Sequence, residues 1–295
     1  MITYNIINDK ALNYVASLDS NSIDATIIDP PYGIDKLNET WDINEIKKST
    51  KKSGTIGSIP VGMKFDKTSA INISEFLLPH FSEILRILKP GGFLLVFSQA
   101  RSSHRIGVAL EDAGLELRDQ LQWNYGSGQG KAQSMNNFIN KNKKFTEKEK
   151  EKYKILCEGM KTPQLTPTFE TIWLAQKPKE GTFVENYIKY GVGLVNFKDG
   201  SKRVQFNHKK PGKAERADGQ HPTQKPVALL EDLVKIFSPE FGTVLDCFCG
   251  SGTSGVASIR LNRNYIGVDF DNNFCNISKT RLINELQFKK ILDEK

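Results

Sequence analysis

Short apolar runs alternate with amphipathic stretches along most of the chain. Turn residues bound each run, which is typical of buried strands, and strands are predicted over residues 25–28, 93–97, 117–123, 171–175, 243–245 and 265–268. The stretches between them place apolar residues on one helical face and predict helices over residues 74–88, 102–113, 224–237 and 253–261. This alternation predicts an α/β fold, a doubly wound and mostly parallel sheet covered on both faces.

Two stretches lack this alternation. Residues 36–68 are polar and show no sustained period, and residues 125–219 are interrupted by one predicted sheet strand near residues 169–176. The second stretch is basic, because residues 131–161 hold nine lysines against four glutamates, and residues 198–216 hold seven Lys or Arg against two acids. Residues 141–154 could equally form a solvated charged helix. We predict an inserted region at 125–219 between two halves of a sheet domain, 1–124 and 220–295.

Composition limits the class of protein. The chain has 295 residues, of which 38% are hydrophobic, and this is enough for a sizeable core and excludes a disordered chain or a disulfide scaffold. Its four cysteines show no metal-ligand spacing, so we expect free thiols and no metal. No signal layout or apolar run of ~18 residues is present, so a cytoplasmic protein is expected. The net charge of +7 is compatible with a polyanionic partner.

A glycine-rich turn follows the predicted strand 243–245. It contains Asp246, Gly250 and Gly252 and leads directly into a predicted helix. Glycines let the backbone approach a ligand closely, and a helix N-terminus favours negative charge. Asp269 ends the next strand, at the position where doubly wound folds bind ribose hydroxyls. The pattern indicates a mononucleoside site, and a purely structural turn is the alternative.

A second unusual turn, Asp29-Pro30-Pro31-Tyr32, follows the predicted strand 25–28. Two prolines fix φ and leave rigid carbonyl groups. A carboxylate and a fixed carbonyl can each accept a hydrogen bond from one N–H of a planar amino group, and an aromatic ring can stack on an extruded base. The alternative is a tight loop without a ligand.

Together, these motifs resemble the S-adenosylmethionine-dependent DNA amino-methyltransferases of the beta arrangement, the N6-adenine/N4-cytosine DNA methylases. In that arrangement the Asp-Pro-Pro-Tyr motif precedes the glycine motif, as it does here. Further matching segments are Leu88-Lys-Pro-Gly-Gly, His221-Pro-Thr-Gln-Lys-Pro226 and Tyr125-Gly-Ser-Gly128, and the last is similar to a phage- and prophage-associated branch. The resemblance implies a Rossmann-like methyltransferase fold with permuted motif order. It also implies a bacterial or phage-encoded enzyme of the restriction–modification type, active at the nucleoid.

The resemblance implies a role for individual residues. Asp29, Pro30 and Pro31 would hold the target amine, Tyr32 would stack on the flipped base, and residues 1–124 would form the catalytic half. Residues 220–295 would form the cofactor-binding half for S-adenosylmethionine, with S-adenosylhomocysteine as the product. The residues implied in cofactor binding are Asp9, Asp29, Thr223, Lys225, Asp246, Cys247, Phe248, Gly250, Gly252, Thr253, Asp269 and Phe270.

The expected substrate is double-stranded DNA. In the basic inserted region, Lys202, Arg203, Lys209 and Lys210 are predicted to contact phosphates. An aspartate at the first motif position favours the N6 amino group of adenine, and N4 of cytosine is the alternative. Methylation of RNA or of a protein glutamine is a further alternative, which the motif order disfavours. A homodimer is expected by resemblance.

Overall fold

A computed structural model describes residues 2–31, 50–53, 56–60, 69–128, 130, 132–163, 165–197, 204–216 and 224–293. The strands are β1 (Tyr4–Asn8), β2 (Ile23–Ile28), β3 (Thr50–Ser53), β4 (Ile56–Pro60), β5 (Leu88–Ser98), β6 (Glu116–Asn124), β7 (Phe169–Gln176), β8 (Gln205–Asn207), β9 (Thr243–Asp246) and β10 (Asn264–Asp269). The helices are α1 (Ala11–Ser17), α2 (Ser69–Ile87), α3 (Ser103–Asp112), α4 (Met135–Lys141), α5 (Glu147–Leu156), α6 (Phe183–Tyr190), α7 (Val227–Phe237), α8 (Thr253–Arg260) and α9 (Asn272–Asp293).

Eight strands form one sheet in the order β1-β10-β9-β2-β5-β7-β6-β8, and β3 and β4 pair separately as a hairpin. In this order, β1, β10, β9, β2 and β5 run parallel to one another. β7 runs antiparallel to both β5 and β6, and β8 runs parallel to β6. The predicted doubly wound, mostly parallel sheet is therefore confirmed.

All six predicted strands are present, and the structure adds others. The edge strand β1 has one buried position, at Ile6, so its apolar pattern is too weak to predict a strand. Helix α2 ends at Ile87 because Leu88 already pairs with Ile23, and the Lys-Pro-Gly-Gly segment lies inside β5 rather than in a loop before it. Helix α7 begins at Val227, later than predicted, with Pro226 in an extended conformation before it.

Helices cover both faces of the sheet, each over its own core. One core joins the buried side chains of α7 and α8 to strand residues such as Ile27, Phe97 and Ile172. The other joins α2 and α3 to strand residues such as Ile28 and Val96. Successive strand residues point to opposite faces, so β2 and β5 contribute to both cores. None of the helices in the described ranges is long and apolar enough to span a membrane.

The inserted region contains helices as well as two strands of the main sheet, β7 and β8. Between β6 and β7 the chain forms α4 and α5, and α5 begins with a capping box of Thr146 and Glu149. It has no buried residue, which fits the solvated charged helix considered above. The predicted strand near 169–176 is β7, which lies between β5 and β6 at the centre of one half of the sheet. The three-part division of the chain stays a prediction.

Candidate active site

The two turns that the sequence singles out lie at the same edge of the sheet. β2 and β9 are hydrogen-bonded neighbours and run parallel, with Thr26 opposite Leu245. Their carboxyl ends therefore point the same way, and Asp29 after β2 faces the loop that starts at Asp246. The carboxylates are close enough for Asp29 to contribute to raising the pKa of Asp246. The expected neighbour relation of the two strands is confirmed.

Helix α9 packs against the turn from Asp246 to Gly252, which we call the glycine loop. Gly250 and Gly252 have φ of 49° and 74°, in the left-handed region that favours glycine. A Cβ at Gly252 would lie 2.1 Å from Ser278 Oγ, so close packing against α9 also requires glycine there. Arg281 donates to the Ser251 carbonyl at 2.7 Å and to Thr253 Oγ1 at 3.1 Å. These contacts fix the loop ahead of the α8 N-terminus, whose N–H groups favour a negatively charged or polar ligand group.

Asp246 is a buried carboxylate at the start of this loop. It accepts hydrogen bonds from the Phe248 N–H at 3.1 Å and from the Ser254 hydroxyl. Burial raises the pKa of Asp246 to about 7, and the charges of Asp29 and Asp269 add to the effect. A ligand that brings a positive charge to this position would stabilise the ionised form.

Asp269, at the end of β10, contacts the glycine loop. Its carboxylate accepts from the N–H groups of Gly250 and Asp271, both at 2.9 Å. Burial raises the pKa of Asp269, and these two hydrogen bonds oppose the rise. Asp9 follows the neighbouring strand β1 and donates its N–H to the Asp269 carbonyl at 3.2 Å. The half-exposed Phe270 comes next, so three of the predicted binding residues share this end of the sheet.

Lys225 connects Asp29 of the Asp-Pro-Pro turn to a second carboxylate, Glu170. Its ammonium forms an ion pair with Asp29, and Glu170 Oε2 on β7 lies 3.3 Å from it. Burial by itself lowers the pKa of a lysine, but the charges of Asp29 and Glu170 outweigh it and raise the pKa of Lys225. We call Asp29, Glu170 and Lys225 the ion cluster.

Two other predicted residues, Cys247 and Phe248, pack against α2. Cys247 is buried in the core that includes α2, so its thiol packs among apolar side chains. The half-buried Phe248 packs against the rings of Phe76 and His80, with centroids 6.4 and 5.5 Å away. Burial lowers the pKa of His80, which keeps this contact uncharged at neutral pH. Phe248 therefore combines a packing contact with a place beside the site.

Of the four residues predicted to contact phosphates, the structure describes Lys209 and Lys210, which lie on the loop after β8. Lys209 and Lys210 are exposed, and the Lys210 ammonium lies 3.9 Å from the centre of the Tyr125 ring. The loop is anchored to the sheet because the Trp123 indole N–H donates to the His208 carbonyl at 2.7 Å. The predicted residues Tyr32, Thr223, Lys202 and Arg203 lie outside the described residues.

Sequence reasoning missed Glu170 and Arg281. Glu170 is a single acidic residue at the start of a strand, and Arg281 is one of many charged residues on a long helix. Neither belongs to a motif with a fixed spacing. Their contacts depend on strand and helix positions that come from the assembled fold.

The chain matches known proteins over nearly its whole length. The family model described as DNA methylase, of the N6/N4 methyltransferase type, matches residues 23–280. The Type II methyltransferase M.HindIII of Haemophilus influenzae is 31% identical over 299 aligned residues, covering 94% of this chain and 94% of that protein.

Solved structures agree in fold. The M1.HpyAVI–SAM complex covers 95% of this chain and 99% of its own, with 21% identity and a TM-score of 0.60. The PvuII DNA methyltransferase (cytosine-N4-specific) covers 95% of this chain and 86% of its own, with 15% identity and a TM-score of 0.62. The fold is thus that of the Rossmann-like methyltransferases. The chain belongs to the N6/N4 DNA methylase family and is a site-specific DNA methyltransferase.

Proposed function

We propose that this enzyme transfers a methyl group from S-adenosylmethionine to the N6 amino group of an adenine flipped out of double-stranded DNA in the cytoplasm. The observation that supports this most is the meeting of the Asp29-Pro30-Pro31 turn and the glycine loop at one edge of the sheet. One turn has the acceptors for an amino group, and the other has the features of a nucleoside site.

The glycine loop fits the cofactor. Its left-handed glycines expose backbone at the α8 N-terminus, and the raised pKa of the buried Asp246 suits a ligand that carries an ammonium group. We propose that Asp246 accepts from that ammonium, that Asp269 and Asp9 bind the ribose and the adenine amino group, and that Phe270 flanks the adenine. Gly250, Gly252 and Thr253 and the backbone of Cys247 and Phe248 would line the loop, and Lys225 and Thr223 would lie at the methionine carboxylate.

The target amine requires acceptors rather than a strong base. Its lone pair is delocalised into the base, and acceptors for both N–H groups draw the nitrogen towards tetrahedral geometry. Asp29 would accept one N–H and the Pro30 carbonyl the other, while the Tyr32 ring would stack on the base. Bound S-adenosylmethionine supplies an electrophilic methyl group. The methylated amine is acidic and loses its proton readily.

The identity of the methylated base tests the proposal. DNA containing all four bases is incubated with the enzyme and S-adenosylmethionine, digested to nucleosides and analysed by mass spectrometry. We expect N6-methyladenine. N4-methylcytosine would overturn the choice of base and favour the cytosine alternative, which the likeness to the PvuII enzyme keeps open.

Cofactor affinity should depend on pH through Asp246. The pKa of Asp246 is about 7 in the free enzyme, so its carboxylate is ionised above pH 7 and becomes protonated below it. If the ionised form binds the cofactor ammonium, the dissociation constant should be lowest between the pKa of Asp246 and that of the ammonium, and it should rise about tenfold per pH unit well below 7. Calorimetric titration from pH 5.5 to 8.5 measures this. The isosteric control Asp246→Asn should bind weakly at every pH, and a level profile for the unmodified enzyme would contradict the assignment.

The basic loop should contribute to DNA binding. Removing one phosphate contact reduces the slope of log K against log salt by about 0.9, so Lys209→Gln with Lys210→Gln should weaken DNA binding and flatten the slope by up to ~1.8. Cofactor affinity should not change. The matched control replaces the adjacent Lys289 and Lys290 on α9, and its slope should equal that of the unmodified enzyme. An unchanged slope in the first variant would show a solvated loop that does not touch the phosphates. Lys202 and Arg203 are proposed to act with this pair.

A homodimer also stays a prediction. Sedimentation of the purified enzyme, with and without DNA, measures its oligomeric state.

A further inference from the structure

The ion cluster contains one more carboxylate than the proposed reaction uses. The Lys225 side chain is 7% exposed, and the side chains of Asp29 and Glu170 are 24% and 21% exposed. Charges taken this far out of water need partners with good geometry. Lys225 compensates both carboxylates at once, and the three groups together carry a net charge of −1.

The sheet places the three groups together. Ile27 pairs with Leu95 and Phe97 pairs with Ile172, so the same face of β2, β5 and β7 carries Asp29, Phe97 and Glu170 near the carboxyl edge. Lys225 lies in the segment just before α7, and its ammonium is 5.0 Å from the centre of the Phe97 ring. Glu170 is therefore two strands away from Asp29 and reaches it through Lys225.

We propose that Glu170 is a positioning residue, which shares the Lys225 ammonium with Asp29 and so keeps the Asp29 carboxylate oriented and available to the target amine. This inference rests on the proposed role of Asp29. Without Glu170, Asp29 would be the one protein carboxylate paired with Lys225 beside the methionine carboxylate of the cofactor, so Lys225 would pair more tightly with Asp29 and compete with the amine N–H for its oxygens. With a second partner on β7, the ammonium is held between the two acids.

The test separates this role from binding and from folding. In Glu170→Gln the shape is kept and the charge is removed. We expect the single-turnover rate of methyl transfer, with S-adenosylmethionine and DNA both saturating, to fall about 3- to 30-fold. The dissociation constant for DNA should stay within about twofold, and that for the cofactor should not rise, because Lys225 keeps its charge for the methionine carboxylate. The melting temperature should stay close to that of the unmodified enzyme. The control Glu116→Gln removes an exposed carboxylate paired with Arg118 on β6 and should leave the rate unchanged.

A double-mutant cycle with Lys225→Met tests whether Glu170 acts through Lys225. If Glu170 acts through Lys225, Glu170→Gln should cause no further loss of rate in the Lys225→Met enzyme, because the ammonium that it shares is gone. An equal loss in both backgrounds would show a direct effect of Glu170 on the reaction and overturn the proposal. An unchanged rate in Glu170→Gln alone would also overturn it, and this measurement stands even where Lys225→Met does not fold. If Asp29→Ala is as fast as the unmodified enzyme, the proposed function fails instead.

Discussion

Replacing Asp29 by alanine should lower the rate of methyl transfer by at least about 10²–10³-fold, the loss seen when one preorganised polar contact to a transition state is removed. The carboxylate lies at the carboxyl edge of β2 beside the glycine loop, where we propose that it accepts an N–H of the target amine. Its contribution grows as the amine becomes tetrahedral, so the loss should appear mainly in the rate of transfer. Single-turnover kinetics at saturating cofactor and DNA measures it.

The matched control lies on β2, the strand that precedes Asp29. Asp24 is also a buried aspartate with a lysine partner, since Lys89 Nζ lies 2.6 Å from its carboxylate, but it belongs to the opposite end of β2. Asp24→Ala should destabilise the fold and leave the transfer rate of the folded enzyme within a few fold. A similar rate loss in both variants would indicate general disruption of β2 and count against the role of Asp29.

Replacing Gly252 by alanine should destabilise the enzyme by about 2–5 kcal/mol and strongly weaken cofactor binding. The left-handed backbone costs a non-glycine residue about 1–2 kcal/mol, and overpacking a tight site costs about 1–3 kcal/mol. The new Cβ would lie 2.1 Å from Ser278 Oγ and 3.2 Å from Ser278 Cα, so a change of side-chain rotamer cannot fully relieve the contact. The loop or α9 has to move. Denaturant unfolding and calorimetric titration with S-adenosylmethionine measure the two effects.

Gly159 provides a control for the cost of placing a non-glycine residue in the left-handed conformation. Its φ is also 74°, but a Cβ there meets nothing within 4 Å. Gly159→Ala should therefore show the cost of the left-handed conformation alone, with cofactor affinity unchanged. The difference between the two variants reports the contact with Ser278. Equal destabilisation would mean that packing against α9 does not fix the glycine loop.

Much of the sheet is predictable because its strands are short apolar runs between turn residues. The runs that became β2, β5, β7 and β9 are buried along most of their length, and buried strands of this kind leave a clear pattern. The edge strands β1 and β8 escaped prediction because half-exposed positions dilute that pattern. The helix α6 was also missed, although Thr182 and Glu185 form a capping box and Gly191 ends it.

The site was predictable as far as its residues occur in local motifs. Asp29 and Asp246 follow apolar strands directly, so their place at the carboxyl edge follows from the alternation of strands and helices. The contact between Lys225 and Glu170 cannot be predicted in this way. Its distance from Glu170 depends on β7 entering the sheet beside β5, and strand order is a property of the whole chain.

The strand order also has a consequence for synthesis on the ribosome. β9 and β10 lie between β1 and β2 in the sheet, yet they are made after the other six strands of that sheet, and Asn8 and Asp269 are 261 residues apart along the chain. At about 5–20 residues per second, β1 waits roughly 13–50 s before its sheet partner is made. Throughout that interval the facing edges of β1 and β2 have no native neighbour. The nascent chain therefore presents two unpaired edges until β9 and β10 have been made, and chaperone demand should be greatest in that window.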